Sequence, residues 1–316
     1  VCERLSLAVL RQPTLLHLHW PEAFLQRPSA LRFIARALLL LGRVALCRLL
    51  GIPIVWTVHN LKPHEQRRPR ATRWFYRWFP YRCAGLIFLS EATRSAFWAA
   101  DPGLQAIPSR VIPHGHYRPV HAAPPSRAEA RAALGLDPGE TLLLFVGLIR
   151  PYKNVPALIR SFGAANLPDT RLLIAGQVLD DAALQQEIET AAPGLATVQL
   201  HLRHLSEPQL AQHIAAADLV VLPYRDIANS GTAILALSLD RPVLAPARGS
   251  LVELQTLIPG DWLRLYEGEL TAAVLAAAAA APAPLAAAAD LQALDWPAIA
   301  AQTLAFYQSL QKPPRG

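Results

Sequence analysis

Methionine is absent from all 316 residues and the chain opens on Val1, so a natural N-terminus is expected upstream. Cysteine is scarce. Cys2, Cys47 and Cys83 are odd in number, and their spacing matches neither a zinc site nor a redox pair; isolated thiols fit a reducing cytoplasm. Charged residues make up only 17% of the chain against 53% hydrophobic, which excludes wholesale disorder and leaves core enough for two domains. No uninterrupted apolar run reaches about 20 residues. The nearest, Ala37 to Leu50, is broken by Arg43 and Arg48, so no spanning helix is predicted, and no signal peptide is visible. A Gly-rich P-loop, a strand-linked G-x-G-x-x-G, an H-E-x-x-H and a D-x-D are all missing, which weighs against NTP hydrolysis, dinucleotide binding and metal-assisted chemistry.

What is present is basic. The net charge is +7, with far more Arg than Lys. Such a surface suits nucleotide phosphates, lipid headgroups or nucleic acid, although the Arg and Ala excess also fits composition bias. Strand-like and helix-like segments alternate, the signature of parallel sheets covered on both faces. Strands are predicted at Thr14 to His19, Pro53 to His59, Ala84 to Leu89 and Arg110 to Pro113, with a long apolar helix over 30–50. Between Arg118 and Arg131, Pro119, Pro124, Pro125 and small residues read as a linker. The pattern restarts with strands at Thr141 to Gly147, Arg171 to Gly176 and Val198 to Leu202, then a helix from Glu207 to Ala217. Residues 270–290 form an Ala-rich stretch, and Trp296 to Leu310 a final amphipathic helix.

The most informative stretch is Ala217 to Ala245. A β-branched run ends at Pro223-Tyr224, and Asn229, Ser230, Gly231 and Thr232 supply a turn and a helix N-cap. A helix follows until Arg241-Pro242 stops it before the next strand. Ligands of open α/β sheets bind beyond the strands' C-terminal ends, and a helix N-terminus there favours phosphate. Arg150 and Lys153 likewise sit between a strand and a helix, where cations can meet a diphosphate. Solvated loop cations account for Arg150 and Lys153 equally well, and plain N-capping is the commoner role of residues such as Ser230, Gly231 and Thr232.

In the first half, His17, His19 and Glu22 gather at one strand end and His59, His64 and Glu65 at another. A general base for a hydroxyl nucleophile needs a carboxylate or imidazole in such a place, and Glu22 and His59 are best positioned. Between Arg67 and Arg82 six arginines alternate with Trp, Phe and Tyr. This mixture suits an anionic membrane interface or single-stranded nucleic acid; a solvated helix with its aromatics in the core is the plain reading. No nucleic-acid motif accompanies it, so no nucleic-acid partner is expected.

LLLFVGLIRPYKN, ADLVVLPY and SGTAILALSLDRPVLAP resemble the donor-binding domain of GT-B glycosyltransferases, and HLHWPE, WTVHN, FLSE and IPHGHY the acceptor domain. HWPE, HGHY and SGTAILALSLDRPVL are most similar to the inverting GDP-mannose:glycolipid 4-β-mannosyltransferases of xanthan-type exopolysaccharide assembly. The resemblance implies an α/β fold of two Rossmann-like domains facing across a cleft: acceptor-binding residues 1–120, donor-binding residues 121–295, and a helix over 296–316 crossing back. The superfamily's opening strand is expected ahead of Val1 or lost. The resemblance further implies catalysis by Glu22 or His59, donor binding by Arg150, Lys153, Asn229, Ser230, Gly231 and Thr232, and a cleft lined by His19, Glu91 and His116. Two glutamates common in retaining members would fall at Ile227 and Leu235, where carboxylates are lacking, in keeping with inversion. The expected donor is GDP-mannose and the acceptor a polyprenyl-diphosphate-linked oligosaccharide. No metal or other cofactor is expected, and the location is the inner face of the plasma membrane, attached peripherally to its anionic surface. A UDP-sugar donor, or a non-catalytic sugar-nucleotide- or polysaccharide-binding subunit, are the alternatives.

Overall fold

The computed structural model describes residues 15–26, 29–61, 68–121, 124–179, 181–192, 194, 196–281, 283–285 and 287–310. His64, Glu65, Arg67 and the segment ahead of Leu15 lie outside these. The chain divides into two compact units, Val1–His114 with Pro297–Gly316, and Gly115–Trp296.

In the first unit the elements are β1 (Leu16–Leu18), α1 (Ala30–Leu49), β2 (Ile54–Val58), α2 (Pro69–Trp78), β3 (Gly85–Phe88), α3 (Glu91–Ala100) and β4 (Ser109–Val111). The strands pair in parallel in chain order, β1-β2-β3-β4. Successive side chains of a strand point to opposite faces. Ile54, Trp56, Val58, Leu86 and Phe88 therefore share one core with Val44, Cys47, Phe75, Phe79 and Phe97 of the helices and turns. Val55 and Ile87 face the other way and meet Ile299 and Phe306 of the C-terminal helix. Gly85 permits that approach: a Cβ there would lie 2.8 Å from the Phe306 ring.

The second unit contains α4 (Arg127–Leu134), β5 (Thr141–Val146), α5 (Val155–Ala165), β6 (Thr170–Ala175), α6 (Ala182–Ala191), β7 (Val198–His201), α7 (Glu207–Ala216), β8 (Leu219–Val221), α8 (Gly231–Ser238), β9 (Val243–Pro246), α9 (Ser250–Leu257), β10 (Leu263–Tyr266) and α10 (Ala272–Ala280); α11 (Trp296–Leu310) closes the chain. The parallel sheet runs β10-β9-β8-β5-β6-β7. From β5 the chain moves outward through β6 and β7, then returns to the other side of β5 with β8. The order reverses between β5 and β8, and open α/β sheets bind ligands at the C-terminal side of such a switch point.

Part of the expected linker is helix. Ser126 and Glu129 form a reciprocal capping box, and Gly135 ends α4 in the left-handed conformation. The S-x-x-E spacing outweighs the prolines just before it. From α4, Arg127 and Arg131 both reach Asp218, whose Oδ2 also accepts the Leu142 N–H at 2.7 Å. The Arg-and-aromatic segment divides its residues: Phe75 and Phe79 are core, whereas Arg70, Arg73, Arg77 and Trp74 are exposed. No helix among the described residues is long and apolar enough to cross a membrane.

Candidate active site

At the switch point of the second unit, β5 runs into Gly147, whose φ of +108° suits a residue without a side chain. A Cβ on Gly147 would lie 3.7 Å from Lys153 Nζ and 3.6 Å from Thr232 Oγ1. Two stretches distant in sequence therefore meet at one point: the end of β5 with the loop that follows it, carrying Arg150 and Lys153, and the first turn of α8. Lys153 ends a short 3-10 turn, Pro151–Lys153, and is buried. Its ammonium lies over the rings of Tyr224 (5.4 Å) and Phe145 (5.9 Å). Burial holds its pKa below the usual lysine range. A buried cation facing a helix N-terminus has unfavourable surroundings until an anion arrives, because both ends carry positive potential.

Ser230 caps α8 by accepting the Ala233 N–H at 3.1 Å. The fully buried Tyr224 phenol lies beside Ser230 and Thr232, its pKa pushed up to about 12 by desolvation, which the two hydroxyls partly oppose. Asn229 is half-buried just before the cap, and Gly231 is exposed. The slots Ile227 and Leu235 are a buried and a half-buried aliphatic residue. One residue the sequence left without a role reaches this place: the Tyr117 hydroxyl is 3.3 Å from where a Gly231 Cβ would sit. Its backbone N–H donates to Ser238 Oγ at 2.9 Å, so α8 itself holds the tyrosine. The HGHY motif contained this residue, but only the fold reveals its direction.

His116, beside it, is committed elsewhere. Its Nδ1 accepts the Arg118 N–H at 3.3 Å, which leaves Nε2–H to donate to Asp295 at 2.7 Å. Trp296 Nε1–H donates to the His116 carbonyl at 2.8 Å and its ring lies against Gly115, where a Cβ would come within 2.4 Å. This histidine braces the 292–296 segment.

In the first unit a histidine group occupies the C-terminal ends of β1 and β2. His17 Nε2 bonds Thr57 Oγ1 at 2.7 Å and its Nδ1 bonds the Tyr307 hydroxyl at 2.5 Å. His19 Nδ1 bonds His59 Nε2 at 3.0 Å, and Trp20 stacks on His59 at 4.1 Å. Burial, with neighbouring imidazoles adding repulsion, lowers His17 to about 4 and His59 to about 3; His19 is lowered by the same causes. These rings are neutral at pH 7. Glu22 follows in the 3-10 turn Pro21–Gln26, buried, with Oε2 lacking a hydrogen-bond partner among the described residues. Desolvation raises its carboxyl to about 7, slightly opposed by its own backbone N–H. Of the two candidate bases, Glu22 is therefore tuned to neutral pH and His59 is not. Glu91 opens α3 with a half-exposed carboxylate paired to Arg94. Among the described residues no group of three His, Cys, Asp or Glu is arranged to hold a metal ion.

The family model for glycosyltransferase family 4 matches residues 4–116, and that for glycosyl transferases group 1 matches residues 126–255. A GDP-mannose:glycolipid 4-β-D-mannosyltransferase of Xanthomonas campestris pv. campestris is 37% identical over 307 residues, covering 92% of this chain and 78% of its own length. The chain belongs to the GT-B glycosyltransferases. A D-inositol 3-phosphate glycosyltransferase of Segniliparus rotundus is 30% identical over 67% of this chain and 49% of its own length. Among solved structures, sucrose-phosphate synthase of Thermosynechococcus elongatus superposes with a TM-score of 0.67 at 21% identity, covering 94% of this chain and 73% of that one. HepE of Anabaena, solved with UDP and glucose, superposes at 0.65 with 19% identity, covering 87% of this chain and 76% of its own. At such identities these structures speak for the fold alone.

Within this glycosyltransferase the familiar motifs separate into scaffold and site. Asp218 of ADLVVLPY ties α4 to β5, and Arg241 of DRPVL donates to the Ala215 carbonyl from Nε (3.2 Å) and Nη2 (2.8 Å). Lys153, Ser230, Thr232 and Tyr224 instead converge on the switch point.

Proposed function

We propose that this glycosyltransferase moves mannose from GDP-mannose, with inversion, to a polyprenyl-diphosphate-linked oligosaccharide in exopolysaccharide assembly. Its Xanthomonas relative bears the name of that donor, a glycolipid acceptor and a β-linkage. The observation that carries the reading is Lys153, a buried ammonium brought beside the first turn of α8 with a glycine leaving space in front of it. In this reading the second unit takes the nucleotide diphosphate. Arg150 and Lys153 neutralise the charge that grows on it as the bond to the sugar breaks, and the α8 N-terminus with Asn229, Ser230, Gly231 and Thr232 supplies N–H and hydroxyl donors. Tyr117 adds a phenolic donor at the same point. These cationic side chains do the work that a divalent ion would otherwise do.

Glu22 of the first unit takes the proton from the acceptor hydroxyl as its oxygen attacks the anomeric carbon; GDP departs with the electrons of the broken C–O bond. A single displacement of this kind converts an α-linked donor into a β-mannoside. His19 and His59, with Trp20 stacked over the latter, offer an aromatic and hydrogen-bonding surface to the acceptor sugars. Glu91 and His116 are assigned to positioning their own segments. Because the acceptor carries a lipid, the enzyme works at the inner, anionic face of the plasma membrane, to which it attaches peripherally.

A thermal-shift panel of GDP, UDP, GDP-mannose and UDP-sugars tests the donor assignment, since a ligand of the folded state raises its stability as ln(1 + [L]/Kd). A shift selective for GDP and GDP-mannose, abolished in Lys153→Ala, is expected. A shift selective for UDP would overturn the mannose assignment while leaving the site in place.

A further inference from the structure

The long helix of the first unit has an outward face unlike that of an ordinary surface helix. Residues Phe33, Ala37, Leu40, Val44 and Cys47 of α1 recur at helical spacing and pack against the sheet. Opposite them runs Leu31, Ala35, Leu38, Gly42, Ala45 and Leu49, all exposed and all without a polar side chain. Leu31, Leu38 and Leu49 are 80%, 63% and 83% exposed, and Ile34 beside the stripe is 50%. A helix whose only apolar stripe faced the core would present charges here.

The flank is positive. Arg32 and Arg36 are exposed one turn apart beside the apolar stripe, and α1 contains no acidic residue. From Ala23 to Ser90 the only carboxylate is Glu65. The neighbouring α2 meets α1 where Arg68 lies over the Phe33 ring at 4.6 Å, and it adds exposed Arg70, Arg73, Arg77 and Trp74 with no acid of its own. A second copy of the chain would bring no carboxylate of α1 to meet these arginines. A sheet of anionic headgroups above an acyl layer meets both features at once: arginines with phosphates, leucines with hydrocarbon.

We propose that the outward face of α1 is a docking face for an anionic lipid surface. The helix lies in the interfacial plane, with Leu31, Leu38 and Leu49 entering the boundary between headgroups and chains. It cannot leave the protein to span, because its other face is core. This rests on the lipid-linked acceptor and names the surface by which the enzyme stays beside it.

Flotation of the whole chain with vesicles of phosphatidylcholine, alone or mixed with phosphatidylglycerol, tests the assignment, with the GDP thermal shift and light scattering measured on the same samples. The parent is expected to float with the mixed vesicles and at least tenfold more weakly with the neutral ones. The triple variant Leu31→Ser, Leu38→Ser, Leu49→Ser should lose at least tenfold in binding and keep the GDP shift. Arg32→Gln with Arg36→Gln should lose the preference for the anionic vesicles. The proposal falls if the parent binds neither vesicle, if the triple variant floats like the parent, or if light scattering shows a dimer that the leucine substitutions dissociate. Vesicle binding without any nucleotide shift would overturn the donor assignment and leave the docking face standing.

Discussion

At the scale of single residues, Lys153 and Glu22 share one condition, burial, which lowers the pKa of the first and raises that of the second. Each is a charged type placed where water has been removed, and each has its pKa moved toward neutrality by that removal. Lys153→Ala removes a charge placed beside the first turn of α8. If that charge stabilises the departing diphosphate more than the bound donor, kcat/KM falls by about 2–4 kcal/mol. Steady-state rates with GDP-mannose measure it, and a rate within twofold of the parent would exclude Lys153 from the transition state. Glu22→Gln keeps the shape and removes the base, so kcat should drop by about 10²–10⁴ with little change in donor KM. The parent's rate should rise with pH through a limb near 7, where the buried carboxyl ionises. That limb surviving in Glu22→Gln would transfer the role to another group.

At the scale of elements, a motif can be legible while its purpose is not. Asp218 stands inside one of the most recognisable phrases in the chain, yet it accepts Leu142 N–H and two arginines from a helix that begins ninety-one residues earlier, at Arg127. Arg131 is buried with four backbone carbonyls around it as well, so Asp218→Ala leaves a guanidinium only partly matched. A loss of about 3 kcal/mol is expected, the lower end for breaking a buried pair, because those carbonyls remain. Urea unfolding followed by far-UV circular dichroism would read it, and a loss below about 0.5 kcal/mol would make the pair a surface ornament. The strands were readable because each parallel strand is a short apolar run bounded by turn residues. β10 and α9 were not, since Leu263–Tyr266 places Arg264 among its apolar residues and α9 follows a glycine cap with no side-chain bond. The loop positions of Arg150, Lys153 and Ser230 were readable from the switch between periodicities. The reach of Tyr117 and Tyr307 was not: nothing local shows that a phenol near the C-terminus will bond His17, 290 positions away.

At the scale of the whole molecule, the buried titratable groups set how the protein responds to acid, and they disagree in sign. His17 and His59 have folded-state pKa values of about 4 and about 3, below the ordinary 6.5. Between those limits the unfolded chain binds protons that the folded chain refuses, so stability is full above pH 6.5 and declines as pH falls from there. Each histidine contributes a slope of at most about 1.4 kcal/mol per pH unit. Glu22 acts the other way: raised from 4.5 to about 7, it holds a proton in the folded state that the unfolded chain has released, so its share is lost as pH rises from 4.5 to 7. Two histidines outweigh one carboxyl, and lowered His19, His201 and His213 add to their side. The melting temperature should therefore fall between pH 6.5 and 4.5. Glu22→Gln removes the opposing contribution, so the variant should gain stability at pH 7 relative to the parent and lose it more steeply on acidification. A series of melting curves across that range decides the matter: a parent that grows more stable toward pH 4.5 would mean that the histidine group is not neutral in the folded protein, and a Glu22→Gln slope no steeper than the parent's would mean that the Glu22 carboxyl is not raised.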